Sequence, residues 1–85
     1  MEVYVIIGHI CNTDADYVTL GENAVQTTLA GAREELKVIY EEIIAECEEN
    51  ELAIEFENIE EDVICIGYNG NCIEEFKIEK RTIQQ

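Results

Sequence analysis

Residues 28–50 read TLAGAREELKVIYEEIIAECEEN, and the reading of this stretch decides the fold. On a wheel of about 3.6 residues per turn, Leu29, Ala32, Leu36, Ile39, Tyr40, Ile43 and Cys47 fall in one apolar stripe roughly 100° wide. That is the pattern of a helix lying on a core. The opposite side carries Glu34, Glu35, Glu41, Glu42, Glu46, Glu48 and Glu49, relieved mainly by Lys37. Thr27 or Thr28 is the expected N-cap, since either hydroxyl can accept from an orphan N–H of the first turn.

Outward from the helix, the chain reads as strands. Glu2–Cys11 (EVYVIIGHIC) places Val3, Val5 and Ile7 on one face and Tyr4 and Ile6 on the other, which predicts a central strand covered on both sides. Gly8 within it marks a bulge or a close approach. Asn12–Asp16 is a turn, Tyr17–Leu20 a short strand, and residues 22–27 are ambiguous. After the helix, LAIEFE (52–57) alternates, with Leu52, Ile54 and Phe56 inward and Glu55 and Glu57 toward water. Val63–Tyr68 is apolar throughout. Asn69-Gly70 predicts a two-residue hairpin whose central positions both need positive φ. Cys72 onward is the last strand, with residues 79–85 expected to trail as a flexible polar tail. The prediction is a single α+β domain over 1–85: one amphipathic helix on a four- or five-stranded, mostly antiparallel sheet, in the order β-(β)-α-β-β-β.

A two-residue hairpin fixes a register. Tyr68 would face Asn71, Gly67 Cys72, Cys65 Glu74, and Val63 Phe76. Cys65 and Cys72 would then be diagonal neighbours, too far apart for an unstrained disulfide. Ile64, Ile66, Tyr68 and Ile73 would gather on the other face. One helix covers one side of a sheet. If it covers Val63, Cys65 and Phe76, the isoleucine face is either a homodimer interface or is covered by the 12–27 segment.

Composition narrows the function. Twenty Asp and Glu against five Lys and Arg give a net charge of −15. Phosphate contacts need Lys and Arg, so direct binding to nucleic acid or an anionic membrane is disfavoured and a basic partner is favoured. The N-terminus shows no basic-then-apolar leader, and the run Val3–Ile7 is too short to span a bilayer. The expected compartment is the cytoplasm, with the four cysteines reduced.

The chemistry-bearing residues are sparse. No two cysteines stand in C-x-x-C spacing, and His9 and Cys11 share only a strand side, short of a zinc site. Asn12, Asp14 and Asp16 repeat the opening of an EF-hand loop. Tyr17 then stands where glycine is needed and Asn23 where a bidentate Glu is needed. Divalent-cation or small-ligand binding by residues 9–16 is therefore the alternative, and a solvated Asx turn the simpler reading. Nothing resembles a phosphate loop or a nucleophile–base pair, so neither catalysis nor a cofactor is expected.

What stands out is the acidity: between Glu34 and Asp62 there are thirteen carboxylates in twenty-nine residues and one lysine. Helix positions three and four apart are neighbours, so Glu34, Glu41 and Glu48, and Glu35, Glu42, Glu46 and Glu49, form rows of like charge. Such rows either keep the protein soluble or imitate the charge line of DNA in a cationic groove.

MEVYVII, TTLAGAREEL and CIEEFKIE resemble a group of small proteins of bacteria and their phages. Those open on a VYVV-type strand, begin a helix after Ser or Thr, and close on a Tyr-Ile-Glu-Glu-Phe-like strand. The longer 11–27 segment and heavier acidity depart from that pattern. Size and charge are also similar to phage-encoded anti-defence inhibitors, including anti-CRISPR proteins that mimic DNA. The resemblance implies a non-enzymatic inhibitor of a basic, nucleic-acid-handling host protein, acting in the host cytoplasm.

Overall fold

The computed structural model describes residues 1–12, 14–70 and 72–84. The helix, α1, spans Leu29–Glu49, and Thr28 is its N-cap, with Oγ1 accepting from the Gly31 N–H at 3.0 Å. Its other end closes in a Schellman motif. Leu52 N donates to Cys47 O at 2.8 Å and Glu51 N to Glu48 O at 3.3 Å. Glu51 stands there at φ 57, in the left-handed region that favours glycine.

Six strands accompany it: β1 (Glu2–Cys11), β2 (Asp16–Thr19), β3 (Val25–Gln26), β4 (Ile54–Ile59), β5 (Val63–Tyr68) and β6 (Cys72–Thr82). They form one open antiparallel sheet in the order β2-β1-β6-β5-β4, with β3 beside β2 on the same edge of β1. The architecture is the predicted α+β layer with more strands than expected. β1 and β6 pair along their whole length, from Glu2 opposite Thr82 to Cys11 opposite Ile73. Residues 79–82 thus belong to a strand rather than a tail, because β1 supplies their backbone partners. Gln85 lies outside the described residues. No helix among the described residues is long and apolar enough to cross a membrane.

The hairpin register differs from the predicted one by a single residue. Tyr68 pairs with Cys72, Gly67 with Ile73, Ile66 with Glu74 and Ile64 with Phe76. The turn holds three residues instead of two, and Asn71 lies outside the described residues. Asn69 (φ 54) and Gly70 (φ 77) do take the positive φ that their types favour. Packing selects the longer turn. This register puts Ile64, Ile66, Phe76 and Ile78 on one face with Ile6, and burying one such side chain is worth about 1.5–3 kcal/mol.

A slip of one residue exchanges the faces of a strand. The isoleucine face is therefore the core. Ile6, Leu36, Ile43, Cys47, Ile64 and Ile66 are buried between sheet and helix, with Ile39, Tyr68, Phe76 and Ile78 packed against them. The four residues expected at a dimer interface do not share a surface: Ile64 and Ile66 are 2% and 0% exposed under α1, and Tyr68 lies on the same side. Ile73 alone faces the uncovered side. Cys65 and Cys72 likewise stand on opposite faces. The 12–27 segment does not cover the sheet either; it supplies β2 and β3, and Ala24 is buried where its backbone O accepts from Ile6 N.

Both strand glycines are close approaches. Gly8 pairs directly with Phe76 and Gly67 with Phe56, and a Cβ at either glycine would strike the opposing ring. In β4 the predicted alternation fails at a bulge between Ile54 and Phe56. Glu57 turns to the helix side, where its Oε1 accepts from the Tyr40 O–H at 3.1 Å, and Phe56 turns to the open side, 47% exposed.

Candidate functional site: the outer face of the helix

The footprint of α1 lies over β1, β3, β5 and β6, which leaves its far side to solvent. Glu34, Glu41, Glu42, Glu46, Glu48 and Glu49 are exposed there, and Glu35 is half-buried toward the 21–24 turn. At about 100° per residue these seven positions occupy an arc of roughly 160°. The structure brings all seven predicted residues onto one side of one rod.

Almost nothing neutralises them. Lys37 Nζ stands 4.0 Å from Glu34, a pair exposed enough to contribute little. Arg33 is committed elsewhere, its Nε donating to Asp62 at 2.7 Å and its Nη2 3.2 Å from Glu61. The hydrogen bond to Asp62, with the negative charge of both acids, raises the guanidinium pKa further. Among the described residues, Glu41, Glu42, Glu46, Glu48 and Glu49 have no basic group within salt-bridge distance. These five carboxylates lie within about 12 Å of helix axis, at a mean spacing of about 3 Å for a rise of about 1.5 Å per residue. Duplex DNA, counting both strands, carries one per about 1.7 Å.

The arrangement also works against the helix. The first turn holds no acid and the last turn no base, whereas Glu46, Glu48 and Glu49 crowd the C-terminal end. The macrodipole is negative at that end, so each carboxylate there is unfavourable by about 0.3–1 kcal/mol.

The open side of the sheet treats charge differently. Glu75, Lys77, Glu79 and Arg81 alternate along β6 on that face, and Glu79 pairs with both Lys77 (3.4 Å) and Arg81. The hydrogen bond from Arg81, with support from Lys77, holds the Glu79 carboxyl below its ordinary pKa. This charged line runs between the apolar residues of β1 and those of β5, so that face offers no continuous apolar patch.

Three candidate ligands of the 9–16 segment, His9, Asn12 and Asp16, are already bonded within it. Asn12 Oδ1 accepts from the N–H groups of Asp14 (2.9 Å) and Ala15 (2.8 Å), which occupies the oxygen a cation would need. Asp16 Oδ1 is bonded to His9 Nε2 and stands opposite Cys11. No group of three His, Cys, Asp or Glu side chains converges on a common point among the described residues. Burial pushes the Cys47 and Cys65 thiols above their ordinary pKa, away from thiolate chemistry. The Tyr68 phenol is raised by burial and by its bonds to Cys72 and Glu74.

One feature of the surface has no counterpart in the sequence reading. A cleft of about 490 Å³ opens between α1 and β4, floored by Leu36, Tyr40, Ile59 and Ile64, with Arg33 and Glu60 at its rim. Its only sequence signal is the apolar Ile59 among acids, and seeing it requires knowing that β4 is an edge strand.

No family model matches the chain, and no curated protein or solved structure is significantly similar to it.

Proposed function

We propose that this protein is a non-enzymatic binding module whose α1 arc docks into a cationic groove of a nucleic-acid-handling protein in place of DNA. Its most specific form is an inhibitor of the anti-defence kind that phages encode. The observation that carries the reading is the row Glu41, Glu42, Glu46, Glu48 and Glu49, exposed, on one side of a rigid helix, and without a cation within salt-bridge reach among the described residues. Their line density is a little over half that of a duplex. Three of them, Glu46, Glu48 and Glu49, also stand at the helix end where the dipole disfavours them, which a purely solubilising role does not require.

The test is capture from bacterial lysate on immobilised protein at low salt, with and without duplex DNA as competitor, beside a variant carrying Glu41→Lys, Glu42→Lys, Glu48→Lys and Glu49→Lys. The expected result is a basic nucleic-acid-binding protein that DNA displaces and the variant fails to retain. Equal retention by the variant, or indifference to DNA, overturns the reading.

A further inference from the structure

We infer that the free edge of β4, with the cleft beside it, is a second binding site, which takes an extended segment of alternating basic and apolar residues as an added strand. It lies off the α1 arc and does not depend on the function proposed for that arc. Among the described residues β4 pairs with β5 alone, so its other side is an open row of backbone donors and acceptors. The ladder shows which groups are free. Glu60 N donates to Val63 O at 2.9 Å. Antiparallel alternation then turns the backbones of Phe56 and Asn58 toward β5, and those of Glu57 and Ile59 outward.

The side chains of Glu57 and Ile59 lie on the helix side of the sheet, as do those of their partners Ile66 and Ile64. A residue of an added strand that bonds to the Glu57 or Ile59 backbone therefore points its own side chain to that same side. There the cleft opens, with Ile59, 48% exposed, among its lining residues. Backbone pairing and an apolar pocket thus coincide, which is the arrangement of strand-addition sites.

The occupant follows from charge. Edge strands are usually guarded by lysine, proline or shortness. The opposite edge uses shortness, since β2 has four residues. β4 has six, every one exposed, and neither lysine nor proline. Its guard is Glu55 and Glu57 within the strand and Glu60, Glu61 and Asp62 just beyond it. A second copy would set acid against acid, with a net charge of −15 on each chain. The same acids attract a basic segment: of the two cations lining the cleft, Arg33 is engaged by Glu61 and Asp62 and Lys37 stands 4.0 Å from Glu34, so Glu55, Glu57, Glu60, Glu61 and Asp62 outnumber them.

The experiment uses three capped heptapeptides of sequence Lys-Val-Lys-Val-Lys-Val-Lys: unmodified, N-methylated at every Val, and N-methylated at the inner Lys residues. With Val side chains in the cleft, the Val N–H groups face β4, so methylation at Val removes the ladder and methylation at Lys spares it. Charge is identical in all three. The expected result, read by calorimetry and amide exchange, is that Val methylation weakens binding at least about tenfold relative to Lys methylation. The unmodified peptide should also protect the Glu57 and Ile59 amides. Equal binding of the two methylated peptides would show attraction by charge alone and overturn the inference. So would protection confined to other elements, or a dimer in sedimentation that already occupies the edge.

Discussion

Two charged stretches of this chain meet water in opposite ways. On β6, Glu75, Lys77, Glu79 and Arg81 alternate in sign, and Glu79 binds its neighbours on both sides. On α1, seven glutamates share a face with one lysine, and that lysine stands 4.0 Å from the end of the row. Of five basic residues in the chain, three (Lys77, Lys80 and Arg81) are on β6 and one of the remaining two is bound to Glu61 and Asp62. An acidic composition alone does not force such a partition, since the same chain interleaves charges where it builds a quiet surface. The unbalanced side is the one to suspect of an errand.

The contrast is sharpest in binding. For whichever cationic protein the α1 arc retains, the Glu41, Glu42, Glu48 and Glu49 reversals should raise Kd roughly 100-fold, with a steep salt dependence. Reversing Glu75 and Glu79 on β6 should change it less than about threefold; equal losses, measured by calorimetry at two salt concentrations, would erase the distinction. Stability should move the other way. Glu48→Lys with Glu49→Lys relieves like-charge contacts and complements the dipole, so the urea midpoint should report a gain of about 1–2 kcal/mol together with weaker binding. No gain would mean that the row carries no strain to be explained. Next is Glu51→Gly, which removes a side chain from a left-handed position. It should stabilise by about 1 kcal/mol and leave binding unchanged, separating helix stability from the acidic arc.

The smallest effect concerns pH. The Cys47, Cys65 and Tyr68 pKa values lie above the ordinary values of 9.0 and 10.0. Above about pH 9 the unfolded chain releases protons that the native chain still holds, so this contribution is complete below that pH and declines above it. Urea midpoints that stay level between about pH 7 and 10.5 would contradict the burial of these groups.

Much of this was readable in the sequence because it is local. The 3.6-residue period of 28–50 needs no knowledge of the sheet, and the hydroxyls of Thr27 and Thr28 announce the helix start to within one residue, the structure selecting Thr28. The acidic arc follows from the same wheel. The hairpin register is a different kind of quantity. Asn69 and Gly70 favour positive φ in a two-residue and in a three-residue turn alike, and the choice is made by Phe76 reaching Ile64 and the space above Gly8. A slip of one residue then moved Ile64 and Ile66 from an imagined interface into the core. The bulge at Glu55 has a similar origin: LAIEFE alternates on paper, and only pairing with β5 shows that Phe56 turns outward over Gly67. Edge position, on which the cleft depends, is a property of strand order and leaves no mark in a strand's own residues.

The longest pairing in the molecule joins its first strand to its last, and Ile83 N donates to Met1 O at 2.7 Å where the two ends meet. During synthesis β1 emerges well before β6, its main neighbour. Until then only the short β2 and β3 pair with its backbone and α1 packs on one face, so the apolar run Val3–Ile7 is open to wrong partners. Contacts so distant along the chain make folding slow for a protein of this length. A net charge of −15 works against such association, because nascent copies repel one another.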